Sequence, residues 1–112
     1  MQIIEKPIKK VEIFTNSIII DDLYIKAVVD VEREIIAINA GMHLDLEQLL
    51  LDNGSLQSDL WGINLYKNSE GGEFIEFDSM INIRPKQNNR SRGVESEEIR
   101  NKIIKAINKL LV

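Results

Sequence analysis

Apolar and polar residues alternate with a period of two along several stretches of the chain and recur with a helical period along others. Ile25, Ala27, Val29 and Val31 alternate with Lys26, Val28 and Asp30. After Glu32-Arg33, Ile36, Ile38 and Ala40 alternate with Ile35, Ala37 and Asn39. Both runs are rich in β-branched residues, so Leu23 to Ala40 predicts a β-hairpin. Its Glu-Arg centre is not the favoured Asn-Gly pair, which leaves the turn geometry open. Leu60 to Tyr66 predicts a further strand, with Trp61, Ile63 and Leu65 on one face and Gly62, Asn64 and Tyr66 on the other. Phe74 to Arg84 predicts a long, unbroken one. There Ile75, Phe77, Ser79, Ile81 and Ile83 face one way, and Phe74, Glu76, Asp78, Met80, Asn82 and Arg84 face the other. Pro85 ends the pairing because it has no N–H for a ladder.

Leu46, Leu49 and Leu50 make the apolar side of a short central helix. Asp45 is its expected N-cap, with Gln48 in the capping-box position, and Asn53-Gly54 supplies a left-handed stop. Ser96 is the expected cap of a C-terminal helix. Glu97 and Glu98 sit at its positive end, and Lys105 and Lys109 near its negative end. Ile99, Ile103, Ala106, Ile107, Leu110 and Leu111 give that helix a broad apolar stripe, expected to pack on the Ile75/Phe77/Ile81/Ile83 face. Residues 1–22 admit two readings. Pro7 opens a short helix carrying Ile8, Val11 and Phe14, or Val11 to Phe14 is a strand. The expected class is α+β: an antiparallel sheet of about four strands, one face covered by the C-terminal helix and the short central helix. Residues 1–112 are read as a single domain.

Composition narrows the function classes. The chain has 112 residues, 44% hydrophobic and 29% charged, and no cysteine. Disulfides, thiolate chemistry and Cys-based zinc sites are thereby excluded. Met1 to Lys10 contains no long apolar core, and the runs Ile18-Ile19-Ile20 and Leu49-Leu50-Leu51 are far too short to span a bilayer. A cytoplasmic location with no membrane partner is the expectation. The net charge of −4 argues against nucleic-acid binding by bulk electrostatics. The charge is uneven, however: residues 1–83 hold 6 Lys/Arg against 15 Asp/Glu, and residues 84–112 hold 8 against 3. This arrangement either neutralises an acidic body with a basic segment or marks a local anion site.

The candidate chemistry lies on the polar face of the sheet. Short acids and amides are poor strand formers, yet Asn64, Glu76, Asp78 and Asn82 occupy strand positions there, with Asp30 and Asn39 of the hairpin available to join them. Cross-strand hydrogen bonds and an ion pair of Arg84 with an acid are the structural explanation. Two functional readings compete with it. Asn64, Asn82, Arg84, Arg90 and Arg92 form a candidate anion- or partner-binding set, because the arginine fork matches phosphate and carboxylate. Asp30, Glu76 and Asp78 form a candidate set for a divalent metal such as Mg²⁺. No other cofactor is expected. Glu95, Glu97 and Glu98 crowd the N-terminus of the last helix and oppose an anion there. His43, the single histidine, reads as a surface or capping-loop residue, and Trp61 reads as core. No phosphate-loop or dinucleotide motif occurs, and aromatics at 5% are too few for a base-stacking platform, so support for nucleotide or nucleic-acid partners is weak.

Three segments together resemble a family of small uncharacterised prokaryotic proteins, a domain of unknown function: Trp61-Gly62-Ile63-Asn64-Leu65-Tyr66, Ile75 to Pro85, and Asn89-Arg90-Ser91-Arg92-Gly93-Val94-Glu95. The resemblance covers roughly residues 25–110. It implies a stand-alone domain and supports the location of the site without attaching a chemistry to it. The leading expectation is a binding or interaction module that recognises a polar or anionic partner through the sheet face and the 84–93 loop. A metal-assisted phosphoester hydrolase and a structural homo-oligomer are the alternatives.

Overall fold

A computed structural model describes all 112 residues. Five antiparallel strands form one sheet in the order β1 (Gln2–Ile4), β3 (Ile35–Ile38), β2 (Tyr24–Asp30), β4 (Leu60–Tyr66), β5 (Ile75–Glu76). Three helices complete the α+β fold: α1 (Lys10–Thr15), α2 (His43–Asp52) and α3 (Glu97–Leu110). The β2–β3 hairpin and β4 occupy the centre, as the alternation predicts. Ala27 lies opposite Ile38 on one side and Ile63 on the other. The hairpin turns without glycine. The Asp30 carboxylate accepts from the Glu32 and Arg33 N–H groups at 3.0 and 2.9 Å, and Glu34 takes the left-handed φ of 54°.

Both faces of the sheet are covered, because alternate positions of its central strands are apolar on both sides. Ile25, Ala27, Val29, Ile36, Ile38, Trp61, Ile63 and Leu65 pack against Ile103, Ala106, Ile107 and Leu110 of α3 and Ile13 of α1. On the opposite face Val28, Ile35, Ala37 and Leu60 pack against Leu46 and Leu50 of α2. The two longer helices thus take opposite faces rather than sharing one as expected, because Val28, Ala37 and Leu60 make the second face apolar as well. α3 begins at Ser96, whose hydroxyl accepts from the Ile99 N–H at 3.2 Å. α2 departs from expectation at its start. Its N-cap is Met42, with no side-chain cap, and Asp45 and Gln48 lie inside the helix. Gly54 takes the left-handed conformation, φ 100°, after the last turn, as predicted.

The first 22 residues resolve into β1 and α1. β1 adds an edge strand to β3, which the sequence pattern did not reveal because only three residues pair. Of the two readings for Val11 to Phe14, the helix is the one formed.

The largest departure is at 74–84. The strand stops after Glu76, and Met80–Asn82 and Pro85–Gln87 are single 3₁₀ turns. Side chains displace the ladder. The Ser79 hydroxyl accepts from the Ile81 N–H at 3.2 Å and opens the first turn. Asn82, fully buried, then pairs its carboxamide with the backbone of Gly62. Its Oδ1 accepts from Gly62 N–H at 2.8 Å, and its Nδ2 donates to Gly62 O at 2.9 Å and to Arg92 O at 3.0 Å. One side-chain amide therefore completes the edge of β4 where β5 has ended. Glycine is required at position 62: a Cβ there would lie 2.5 Å from Ser79 Cβ. Ile81 joins the α2 face and Ile83 is 39% exposed, so neither packs under α3 as the unbroken strand predicted.

Candidate anion-binding cleft

On the α2 face, the start of α2 and the 79–84 segment stand apart across β2 and β4. Between them lies an open cleft of about 480 Å³, a size ordinary for small-ligand sites. Its polar lining includes Lys26, His43, Glu47, Arg84 and Arg92, and its apolar lining Met42, Leu44, Met80 and Ile83.

Arg84 builds one wall. Its Nε donates to Ile81 O at 3.0 Å. Nη1 donates to Gln57 O and Gln87 Oε1 at 2.9 and 3.3 Å, and Nη2 donates to Glu47 Oε2 at 3.3 Å and to Leu60 O. Its five donors match five protein acceptors. The Arg84 and Glu47 side chains are only 10% and 6% exposed, and the guanidinium lies 4.9 Å from the Trp61 ring centre. Burial lowers the Arg84 pKa, and Glu47 acts in the opposite direction to hold the charge. This buried pair tethers α2 to the 3₁₀ segment, and no N–H of Arg84 is left over for an occupant.

His43 forms part of the floor. It is buried, not on the surface as the sequence suggested, and its Nε2 lies 2.8 Å from Ile63 O. A carbonyl only accepts, so Nε2 carries the proton and Nδ1 is the lone-pair nitrogen of the neutral ring. Nδ1 makes no hydrogen bond within the protein. Burial pushes the His43 pKa below the ordinary histidine value, against the Ile63 hydrogen bond, and nearby Lys26 adds to the lowering. The Met42 cap leaves the N–H groups of His43 and Leu44 without backbone partners at the positive end of α2.

Two cations in the cleft keep donors free. Lys26 is half-buried and has no carboxylate within 4.0 Å. Arg92 gives its Nε to Asp78 Oδ1 at 2.7 Å and retains both terminal nitrogens. The cations Lys26, Arg84 and Arg92 against Glu47 and Asp78 leave one net positive charge. Around it, Met42, Leu44 and Met80 are 58%, 57% and 65% exposed.

The remaining residues of the sequence-derived sets are dispersed. Asn64 is buried and donates to Glu76 Oε1 at 2.8 Å, while Tyr66 OH donates to the same oxygen at 3.1 Å. Asn82 lies beneath the cleft and holds the Arg92 carbonyl. Arg90 is exposed on the loop and does not line the cleft; its N–H and that of Ser91 bind the Glu95 carboxylate. The three acids of the metal set are not brought together. Asp30 pairs with Leu60 and Glu76 with Asn64, which separates them by four residues along β4, roughly 13 Å. Asp30 is spent on the hairpin turn, Glu76 on Asn64 and Tyr66, and Asp78 on Arg92. No group of three or more His, Asp or Glu side chains converges anywhere in the fold.

Sequence reasoning missed Lys26, His43, Glu47 and Asn89. Asn89 shapes the 84–93 loop: its Nδ2 donates to Asn82 O at 2.7 Å and Gly93 O at 2.8 Å, and its Oδ1 accepts from Glu95 N–H at 2.8 Å. The available signal was the recurrence of asparagine at 82, 88 and 89 beside a proline, which marks side-chain-stabilised turns.

No helix is long and apolar enough to cross a membrane. No curated protein and no solved structure matches the chain. The segments that form the cleft and its supports, from the β2–β3 hairpin through the asparagine-held loop to α3, fall within one matched stretch, residues 2–110, and on that match the chain belongs to the family described as protein of unknown function (DUF5674).

Proposed function

We propose that this protein is a binding module that recognises an anionic partner in the cleft between the start of α2 and the 79–84 segment. The observation that carries the reading is Lys26, a half-buried cation without an ion-pair partner, facing the same cleft as the unspent terminal nitrogens of Arg92. A lysine held against a sheet loses hydration, and an anion from outside restores its partner. Arg84, Asn82 and Asn64 act as the scaffold of the site, and Arg90 lies outside it. The sequence has no cysteine, in keeping with a reducing compartment, and we propose the cytoplasm as its place of action.

A thermal-shift screen of the wild-type protein and Lys26→Met tests the reading. The panel is inorganic phosphate, sulfate, isovalerate, short N-acetylated peptides with a free C-terminus, nucleotides and short RNA and DNA. Saturation at 100 times Kd adds about 2.7 kcal/mol of stability. The expected result is a rise with at least one anion that is lost in Lys26→Met. A rise that survives the substitution, or no rise with any anion, overturns it.

A further inference from the structure

We infer that the occupant of the cleft is the free C-terminus of another polypeptide chain ending in an apolar residue; this deepens the anion reading above and rests on it. Three features of the lining select that ligand. The net charge of the cleft is a single positive unit, from Lys26, Arg84 and Arg92 against Glu47 and Asp78. It balances one carboxylate and leaves a phosphate dianion half compensated. Nδ1 of His43, unbonded within the protein, is an acceptor on a residue that lines the same cleft as these donors. An occupant therefore gains from presenting an N–H next to its anionic oxygens, which the last residue of a peptide does. Met42, Leu44, Met80 and Ile83 supply apolar contact for a terminal side chain.

The openness of the rim decides between a chain end and a small metabolite. Met42, Leu44 and Met80 are each more than half exposed. A small carboxylate held at Lys26 leaves much of that apolar surface in water, whereas a peptide continues across it. The thioethers of Met42 and Met80 adapt to side chains of different shape.

The test uses N-acetylated tripeptides ending in Ala, Val, Leu, Ile, Met or Phe, each as free acid and as C-terminal amide. Isovalerate and inorganic phosphate are added as separate probes. Binding is followed by ¹⁵N chemical-shift titration of the full chain. The expected result is that at least one free acid binds and its amide binds tenfold or more weakly. Lys26→Met and Arg92→Gln each weaken the acid tenfold or more while leaving the spectrum folded. Equal binding of acid and amide overturns the inference, as does isovalerate binding as tightly as any tripeptide. Phosphate binding with no peptide binding overturns it and leaves the anion reading standing. Binding of neither peptides nor phosphate nor isovalerate removes both. The acid–amide comparison is made on the wild-type protein, so it stands even if a variant fails to fold.

Discussion

Replacing Asn82 by alanine should be among the most damaging single changes in the protein, although the residue is polar and the new one is small and apolar. Asn82 is fully buried and makes three hydrogen bonds through its carboxamide. Its loss leaves the Gly62 N–H unpaired at the edge of β4, at a cost of about 1–3 kcal/mol for a buried donor. The carbonyls of Gly62 and Arg92 each lose a bond worth roughly 0.5–1.5 kcal/mol. The sum is about 2–6 kcal/mol, and even a value of about 3 kcal/mol in its lower half is a large part of the total stability of an ordinary domain. In urea denaturation, with an m-value of roughly 1.5 kcal/mol/M, the midpoint should fall by about 2 M. The Gly62 amide, held by Asn82 Oδ1 in the wild type, should become one of the faster-exchanging amides of β4. Asn82→Asp is nearly isosteric and should be at least as damaging at pH 7, because its carboxylate meets two carbonyls in place of an N–H₂. A midpoint within roughly 0.3 M of wild type, with Gly62 still protected, would show that the carboxamide does not close the sheet edge.

Three further outcomes follow from the same geometry. Gly62→Ala places a Cβ 2.5 Å from Ser79 Cβ and should cost about 1–3 kcal/mol; Ser79→Gly in the same chain should recover part of it, measured by urea midpoint. Arg84→Met strands the buried Glu47 carboxylate and should cost about 3–5 kcal/mol, while Arg84→Met with Glu47→Leu should be distinctly more stable than Arg84→Met alone by thermal melting. Burial lowers the His43 pKa in the folded state, so the unfolded chain binds the proton more tightly. Stability should fall as pH drops below the unfolded value near 6.5, and His43→Gln, which keeps a donor for Ile63 O, should flatten that fall. A titration of the imidazole by NMR giving a His43 pKa at or above 6.5 would contradict the sign.

The central strands and two longer helices were legible because burial imposes a period. Ile25, Ala27 and Val29 announce β2, Trp61, Ile63 and Leu65 announce β4, and the stripe from Ile99 to Leu111 announces α3. The α+β class followed from these alone. The segment 74–84 failed for a physical reason. Its alternation is genuine, but Ser79 and Asn82 bond to backbone through their side chains and outcompete the ladder. Alternation cannot report a carboxamide that takes the place of a strand. β1 was hidden by its brevity. The arginines pointed to the segment beside the cleft, and Arg84 and Arg92 line it. Which of them keeps free donors was not readable from sequence, since that depends on Glu47 and the carbonyls of Gln57 and Leu60, far away along the chain. In the sequence Lys26 is one of the positions that alternate with Ile25, Ala27 and Val29, and only the seating of α2 and the 3₁₀ turn beside it makes the cleft.

The central claim is that an anion enters at Lys26 and Arg92, and the most direct measurement is a map of where one lands. Isovalerate, a branched monocarboxylate, is titrated into ¹⁵N-labelled wild-type protein, and the amide shifts are followed residue by residue. Saturable shifts are expected at Lys26, His43, Leu44, Met80 and Arg92, with the Arg90 and Lys86 amides unmoved. Shifts clustered at Arg90 and Lys86, or no saturable shifts at all, would contradict that claim.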